Sequence, residues 1–117
     1  MDADAAVAAL SALAHPGRLE VFRLLVRAGA EGVAAGEIAR ATGSLPNTLS
    51  TNLNILAGAG LVAARRDGRR IIYAAGYERM RELLSFLVDD CCGGQPEICA
   101  PLAEVASRAC AAEGAAC

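Results

Sequence analysis

Three of the chain's five cysteines, Cys91, Cys92 and Cys99, fall within the ten-residue stretch Asp90-Cys91-Cys92-Gly93-Gly94-Gln95-Pro96-Glu97-Ile98-Cys99. Deprotonated thiols are soft ligands and select soft ions. Gly93 and Gly94 let the backbone fold back so that Cys99 reaches the Cys91-Cys92 pair, and Pro96 limits how loosely it does so. Other chemistries use the same sulfurs. Free cysteines often pack as small hydrophobes, although the polar, glycine-rich surroundings argue against burial here. A tetrahedral zinc or cadmium centre needs a fourth ligand, for which Cys110, Asp90 or a residue of a second chain are candidates. A redox or persulfide switch needs only two cysteines that oxidise. Cys110 and Cys117 stand further along the chain and are left out of the primary set.

A second group of residues is arranged for a different partner. Asn47, Ser50, Thr51 and Asn54 recur at helical spacing, with Thr48 on their flank. They present short polar side chains able to approach base edges in the major groove of DNA. Taken alone, the same residues also describe a solvated helix face. The segment that follows sets them apart. "LVAARRDGRRIIYAA" is two β-prone runs around Asp67-Gly68, a hairpin pattern whose tip carries Arg65, Arg66, Arg69 and Arg70. A basic β-ribbon can follow the phosphate backbone or enter the minor groove, supplying sequence-independent, salt-sensitive binding.

The charge distribution agrees. The net charge is −2, but residues 35–75 hold five Arg against two acids, whereas residues 76–117 hold three Arg against seven acids. All eleven basic residues are Arg, a bias that carries little weight by itself. A chain of 117 residues is expected to form one domain. Its apolar residues are mostly Leu, Val, Ile and Ala, with no Trp, which suits close helix packing. No apolar run is long enough to cross a membrane, and the acidic "MDADAAVAALSALAHP" does not read as an export peptide. The expected location is the cytoplasm, where clustered cysteines more often serve metal binding or redox chemistry than structural disulfides.

These groups must be positioned by helices and a hairpin. Val7, Leu10 and Leu13 predict a first helix, over about 4–14, with Asp2 or Asp4 as cap. "HPGRLEVFRLLVRAG" predicts a second, with Pro16 in the first turn, Leu19, Phe22, Leu25 and Val26 on one face, and Gly29 and Gly32 at its end. A short helix over "AAGEIARAT" turns Ile38 and Ala39 inward and closes at Gly43. After "GSLP", "NTLSTNLNILAGAG" aligns Leu49, Leu53 and Leu56 opposite Asn47, Thr51 and Asn54, giving a helix-turn-helix over about 35–59. The hairpin covers about 61–75. A further helix, about 77–91, carries Met80, Leu83, Leu84 and Leu87, widened by Phe86 and Val88, a stripe broader than one partner helix needs.

A helix-turn-helix followed by a basic hairpin is the winged-helix arrangement. From "ALAHPGRLEVFRLL" through "GEIARATGSLPNTLSTNLNILAGAGLVAARRDGRRIIYAA", the chain resembles the ArsR/SmtB family of dimeric winged-helix repressors, "LNILAGAGLV" being the most diagnostic piece. Where that family usually carries His just before Leu53, this chain has Asn52, a departure that bears on the operator sequence. The resemblance implies a mainly α fold with a β-hairpin wing, acting as a homodimer on double-stranded operator DNA. The first helix and the helix over about 77–91 would form the dimer interface.

Many arsenic-sensing members carry Cys-x-Cys on the third helix, but the matching positions here are Ala34 and Gly36. Zinc-sensing members use Asp and His pairs on the last helix, whereas this chain's one His, His15, precedes Pro16 at a helix start and suits a cap. A separate lineage places a cysteine pair and a third cysteine after the dimerisation helix. By that resemblance Cys91, Cys92 and Cys99, in a loop over 91–99, are expected to bind trivalent arsenic or antimony as an inducer, with zinc or cadmium as the alternative and no permanent cofactor. An enzyme is not expected: there is no Cys-x-x-Cys in a βαβ setting, no phosphate-binding glycine loop, and no His but His15 to act as a base.

Overall fold

A computed structural model describes residues 1–88. All five cysteines, together with Asp89 and Asp90, lie outside the described residues, so the expected ligand set Cys91, Cys92 and Cys99 and the loop over 91–99 do too. The elements run α1 (Ala3–Leu13), α2 (Pro16–Ala28), β1 (Val33–Ala34), α3 (Ala35–Thr42), α4 (Pro46–Gly58), β2 (Val62–Asp67), β3 (Arg70–Ala75) and α5 (Tyr77–Val88).

Local chemistry sets most of these boundaries. Asp2 caps α1, its Oδ1 accepting the Ala5 N–H at 2.8 Å. His15 caps α2, its Nδ1 accepting the N–H groups of Gly17 and Arg18 at 3.1 and 3.4 Å, while Pro16 fills the first helical position, where its missing N–H is no loss. The cap expected of His15 is therefore present. Arg18 joins the two helices at their corner, its Nε donating to the Ala12 carbonyl at 2.6 Å at the end of α1. Gly29 and Gly43 follow α2 and α3 with positive φ, as expected at both ends.

The core gathers Val21 and Leu25 from α2, Ile38 from α3, Leu49, Leu53 and Leu56 from α4, Leu61, and Leu83 from α5. Two expected faces need correction. On α1 the buried residues are Ala6, Ala9 and Ala12; Val7 and Leu10 stand 61% and 41% exposed, and Leu13 is half-buried. Alanine lets the α1 backbone approach its neighbours closely, leaving the larger side chains outside. On α2 Leu19 is exposed and Val21 is fully buried, so the apolar stripe is rotated relative to the one expected. The broad stripe of α5 divides as its width implied. Leu83 is buried and Met80 packs against the core, while Leu84, Phe86, Leu87 and Val88 are exposed.

A three-stranded antiparallel sheet, in the order β1-β3-β2, supports the wing. The two-residue β1 was not anticipated; it pairs Val33 with Tyr73 and Ala34 with Ile72. Gly32, at φ +79°, admits this pairing, because a Cβ there would stand 2.6 Å from the Tyr73 carbonyl oxygen. The start of α5 is tied to α2 by the Tyr77 hydroxyl, which donates to the Val26 carbonyl at 3.0 Å. Among the described residues no helix is long and apolar enough to cross a membrane.

Candidate nucleic-acid interface

The two helices of the predicted helix-turn-helix are α3 and α4. Their turn is held by Thr42, whose hydroxyl bonds the Ile38 carbonyl at 2.8 Å and lies 2.7 Å from the Ser44 hydroxyl. Pro46 then opens α4 at a position that needs no N–H, so Asn47 and Thr48 fall in its first turn. Leu49, Leu53 and Leu56 are buried, which fixes the rotation of the helix about its own axis. Asn47, Thr48, Ser50, Thr51 and Asn54 are all exposed as a consequence. Burial of three leucines, at roughly 2 kcal/mol each, thereby holds a polar stripe outward.

Two details change how that stripe can act. The Thr51 hydroxyl donates to the Asn47 carbonyl at 3.0 Å, so toward a ligand it offers its lone pairs and its methyl group. Asn52 does not belong to the reading face: it is only 5% exposed and is the one buried polar residue among those described. Its Nδ2 lies 3.2 Å from where a Cβ on Gly17 would be, so Asn52 packs against the start of α2. The departure from His at this position is an interior substitution.

The wing is the hairpin β2–β3. Asp67 pairs with Arg70, so the loop proper is Gly68-Arg69, one residue later than the Asp67-Gly68 pattern suggests. Gly68 takes φ +65° at the first loop position, which glycine meets without strain. The four arginines are exposed but do not form one patch. Arg65 and Arg66 are consecutive on β2 and so point to opposite faces of the ribbon. Arg65 Nη2 donates to the Glu31 carbonyl at 2.8 Å, bracing the wing against the chain before β1. Arg69 and Arg70 instead line an open groove of about 500 Å³, shared with Ala34, Gly36, Glu37 and Arg40 around α3 and with Ile71 and Tyr73 of β3.

Sequence reasoning missed two residues beside this surface. Arg40, on the exposed side of α3, brings a fifth guanidinium into the region; its three-residue spacing from Glu37 was visible but reads as an ordinary helix-surface pair. Leu45 stands 71% exposed immediately before α4. An exposed leucine at the entrance to a reading helix has the chemistry to meet a thymine methyl group.

An outward polar helix held by a buried leucine face, beside a basic two-stranded wing, defines a winged helix-turn-helix DNA-binding protein. Residues 13–65 match a helix-turn-helix domain family. The chain is 33% identical over 90 residues to the HTH-type transcriptional regulator YgaV of Escherichia coli K12, covering 77% of this chain and 89% of that protein. It is 35% identical over 88 residues to the nodulation protein NolR of Rhizobium meliloti, covering 75% and 70%. A solved homodimeric winged helix-turn-helix DNA-binding domain from Mycobacterium bovis, described as a possible ArsR-family regulator, superposes with a TM-score of 0.60 at 37% identity over 74% of this chain and 81% of that one. The chain belongs to the ArsR-like family of winged helix-turn-helix transcriptional regulators, whose members are DNA-binding proteins rather than enzymes.

Proposed function

We propose that this protein is a metalloid-responsive repressor that binds operator DNA as a cytoplasmic homodimer and releases it when trivalent arsenic or antimony occupies Cys91, Cys92 and Cys99. The observation that carries the DNA half of the reading is the exposed stripe Asn47, Ser50, Thr51 and Asn54, fixed outward by Leu49, Leu53 and Leu56. Support for the homodimer comes from the exposed Val7 and Leu10 on α1 and Leu84 and Phe86 on α5, apolar side chains that a second copy would cover. Two-fold pairing sets two reading helices about 34 Å apart, matching half-sites one DNA turn apart.

The sensing half rests on sulfur chemistry and on the position of the cysteines just after α5. A ligand there acts only through its different affinity for the DNA-bound and released states, and a coupling of about 3 kcal/mol weakens operator binding more than a hundredfold. Arsenous acid carries each thiol proton away as water with one of its own hydroxides, so the arsenite response holds as pH falls, whereas zinc or cadmium, which release those protons to solvent, lose affinity. The test is an anisotropy titration of protein bound to a duplex it selects from a random-sequence pool, against arsenite, antimonite, zinc, cadmium and a persulfide donor. Release by arsenite or antimonite, lost in Cys91→Ser and Cys99→Ser, is the expected result. Release by zinc or cadmium alone, by the persulfide donor alone, or unchanged arsenite release from both variants would refute the three-thiol metalloid site.

A further inference from the structure

We propose that the groove between α3 and the wing seats one phosphodiester of the DNA backbone, with Arg40 on one wall and Arg69 and Arg70 on the other. The inference rests on the DNA-binding reading above and adds a contact outside the reading helix. Three arginines from two separate elements line a groove of about 500 Å³ that has a single acidic residue, Glu37, in its lining. The charge excess suits a monoanion flanked by uncharged sugar. Ile71 and Tyr73 supply the groove with apolar surface of the kind a deoxyribose can lie against.

Glu37 does not cancel Arg40. Their ion pair is 3.9 Å long, and the side chains are 76% (Arg40) and 55% (Glu37) exposed, a geometry in which the attraction is largely screened. A phosphate offers Arg a shorter, two-pronged hydrogen-bonded contact and displaces so loose a partner. The location also fits. In a helix-turn-helix the first helix crosses the sugar–phosphate backbone while the second enters the major groove, and α3 is that first helix. Tight turns at Gly43 and Thr42–Ser44 hold α3 and α4 together, so a strand seated beside Arg40 is placed by the same rigid unit that carries Asn47 and Asn54.

The test is the salt dependence of full-length protein binding to a short mixed-sequence duplex, followed by anisotropy between about 50 and 200 mM salt. Arg40→Gln is expected to reduce the slope of log affinity against log salt by about 0.9 per bound protomer, with affinity falling by the same factor on every duplex sequence. Glu37→Gln is expected to tighten binding across the whole salt range, a change that a purely structural role for this pair would not produce. Arg81→Gln, which removes an exposed partner of Glu78 on α5, is expected to leave the slope unchanged. All three positions are exposed, and unchanged thermal unfolding confirms intact folds. If Arg40→Gln keeps the parent slope and affinity while the parent binds DNA, the seat is refuted and the DNA reading stands. If the parent binds no duplex at low salt, both fall.

Discussion

Helices α1 and α4 solve opposite problems with opposite residues. In α4 the large side chains Leu49, Leu53 and Leu56 face inward and short polar ones face out, with Ile55, 40% exposed, the one large apolar exception. In α1 the small side chains Ala6, Ala9 and Ala12 face inward, and the larger Val7 and Leu10 face out. A helix that keeps its largest apolar groups in water is incomplete by itself, whereas a helix that hides them and displays Asn, Ser and Thr is complete and ready for a polar partner. Under the proposed function the outward residue type matches the partner: another apolar surface for α1, base edges for α4.

The largest expected effect breaks the α1 side of this contrast. Val7→Glu with Leu10→Glu should leave the isolated fold within about 0.5 kcal/mol of the parent, as surface changes do. By preventing pairing it should weaken operator binding about 10²–10⁴-fold, the gain lost when two linked readers become one. Sedimentation and anisotropy on the same samples report both effects. Next in size is the α4 side: Leu56→Ala empties a fully buried position and should lower unfolding free energy by about 2–5 kcal/mol in urea titrations.

A subtler change sharpens the contrast without disturbing either fold. Asn47→Ala and Asn54→Ala should each cost about 1–3 kcal/mol of operator affinity and relax base preference at one position per half-site. Asn52→Ala should instead alter stability, because Asn52 is buried. Smallest is the corner that orients both helices. His15→Ala removes the cap of α2 and should destabilise the protein by about 1 kcal/mol, with His15→Asn restoring most of it in the same thermal or urea unfolding measurement.

The sequence made α4 legible because a leucine period, a proline at the helix start and polar residues on the opposite side all indicate one orientation. The wing was legible for a similar reason, since Asp67-Gly68 lies between two β-prone runs, although the loop proved to be Gly68-Arg69. On α1 the apolar pattern admits two faces, because alanine and valine both count as apolar, and only packing distance selects the alanines. β1 is two residues long and exists through its pairing with β3, a partnership nearly forty residues away in sequence. A comparable separation, 34 residues, hid the bond from Arg65 to the Glu31 carbonyl. The burial of Asn52 was hidden for a related reason, since an Asn beside an exposed polar stripe carries no sign of burial in the sequence. Here Gly17 leaves room for it inside.

In the proposed repressor two copies of this chain, joined through apolar helix faces, read DNA with the polar stripe of α4. Selection of bound duplexes from a random-sequence pool by the full-length protein, followed by sequencing, tests it directly. Such a dimer enriches an inverted repeat whose half-site centres lie about 10 base pairs apart. Enrichment of a single unpaired site, or of no sequence at all, would contradict it.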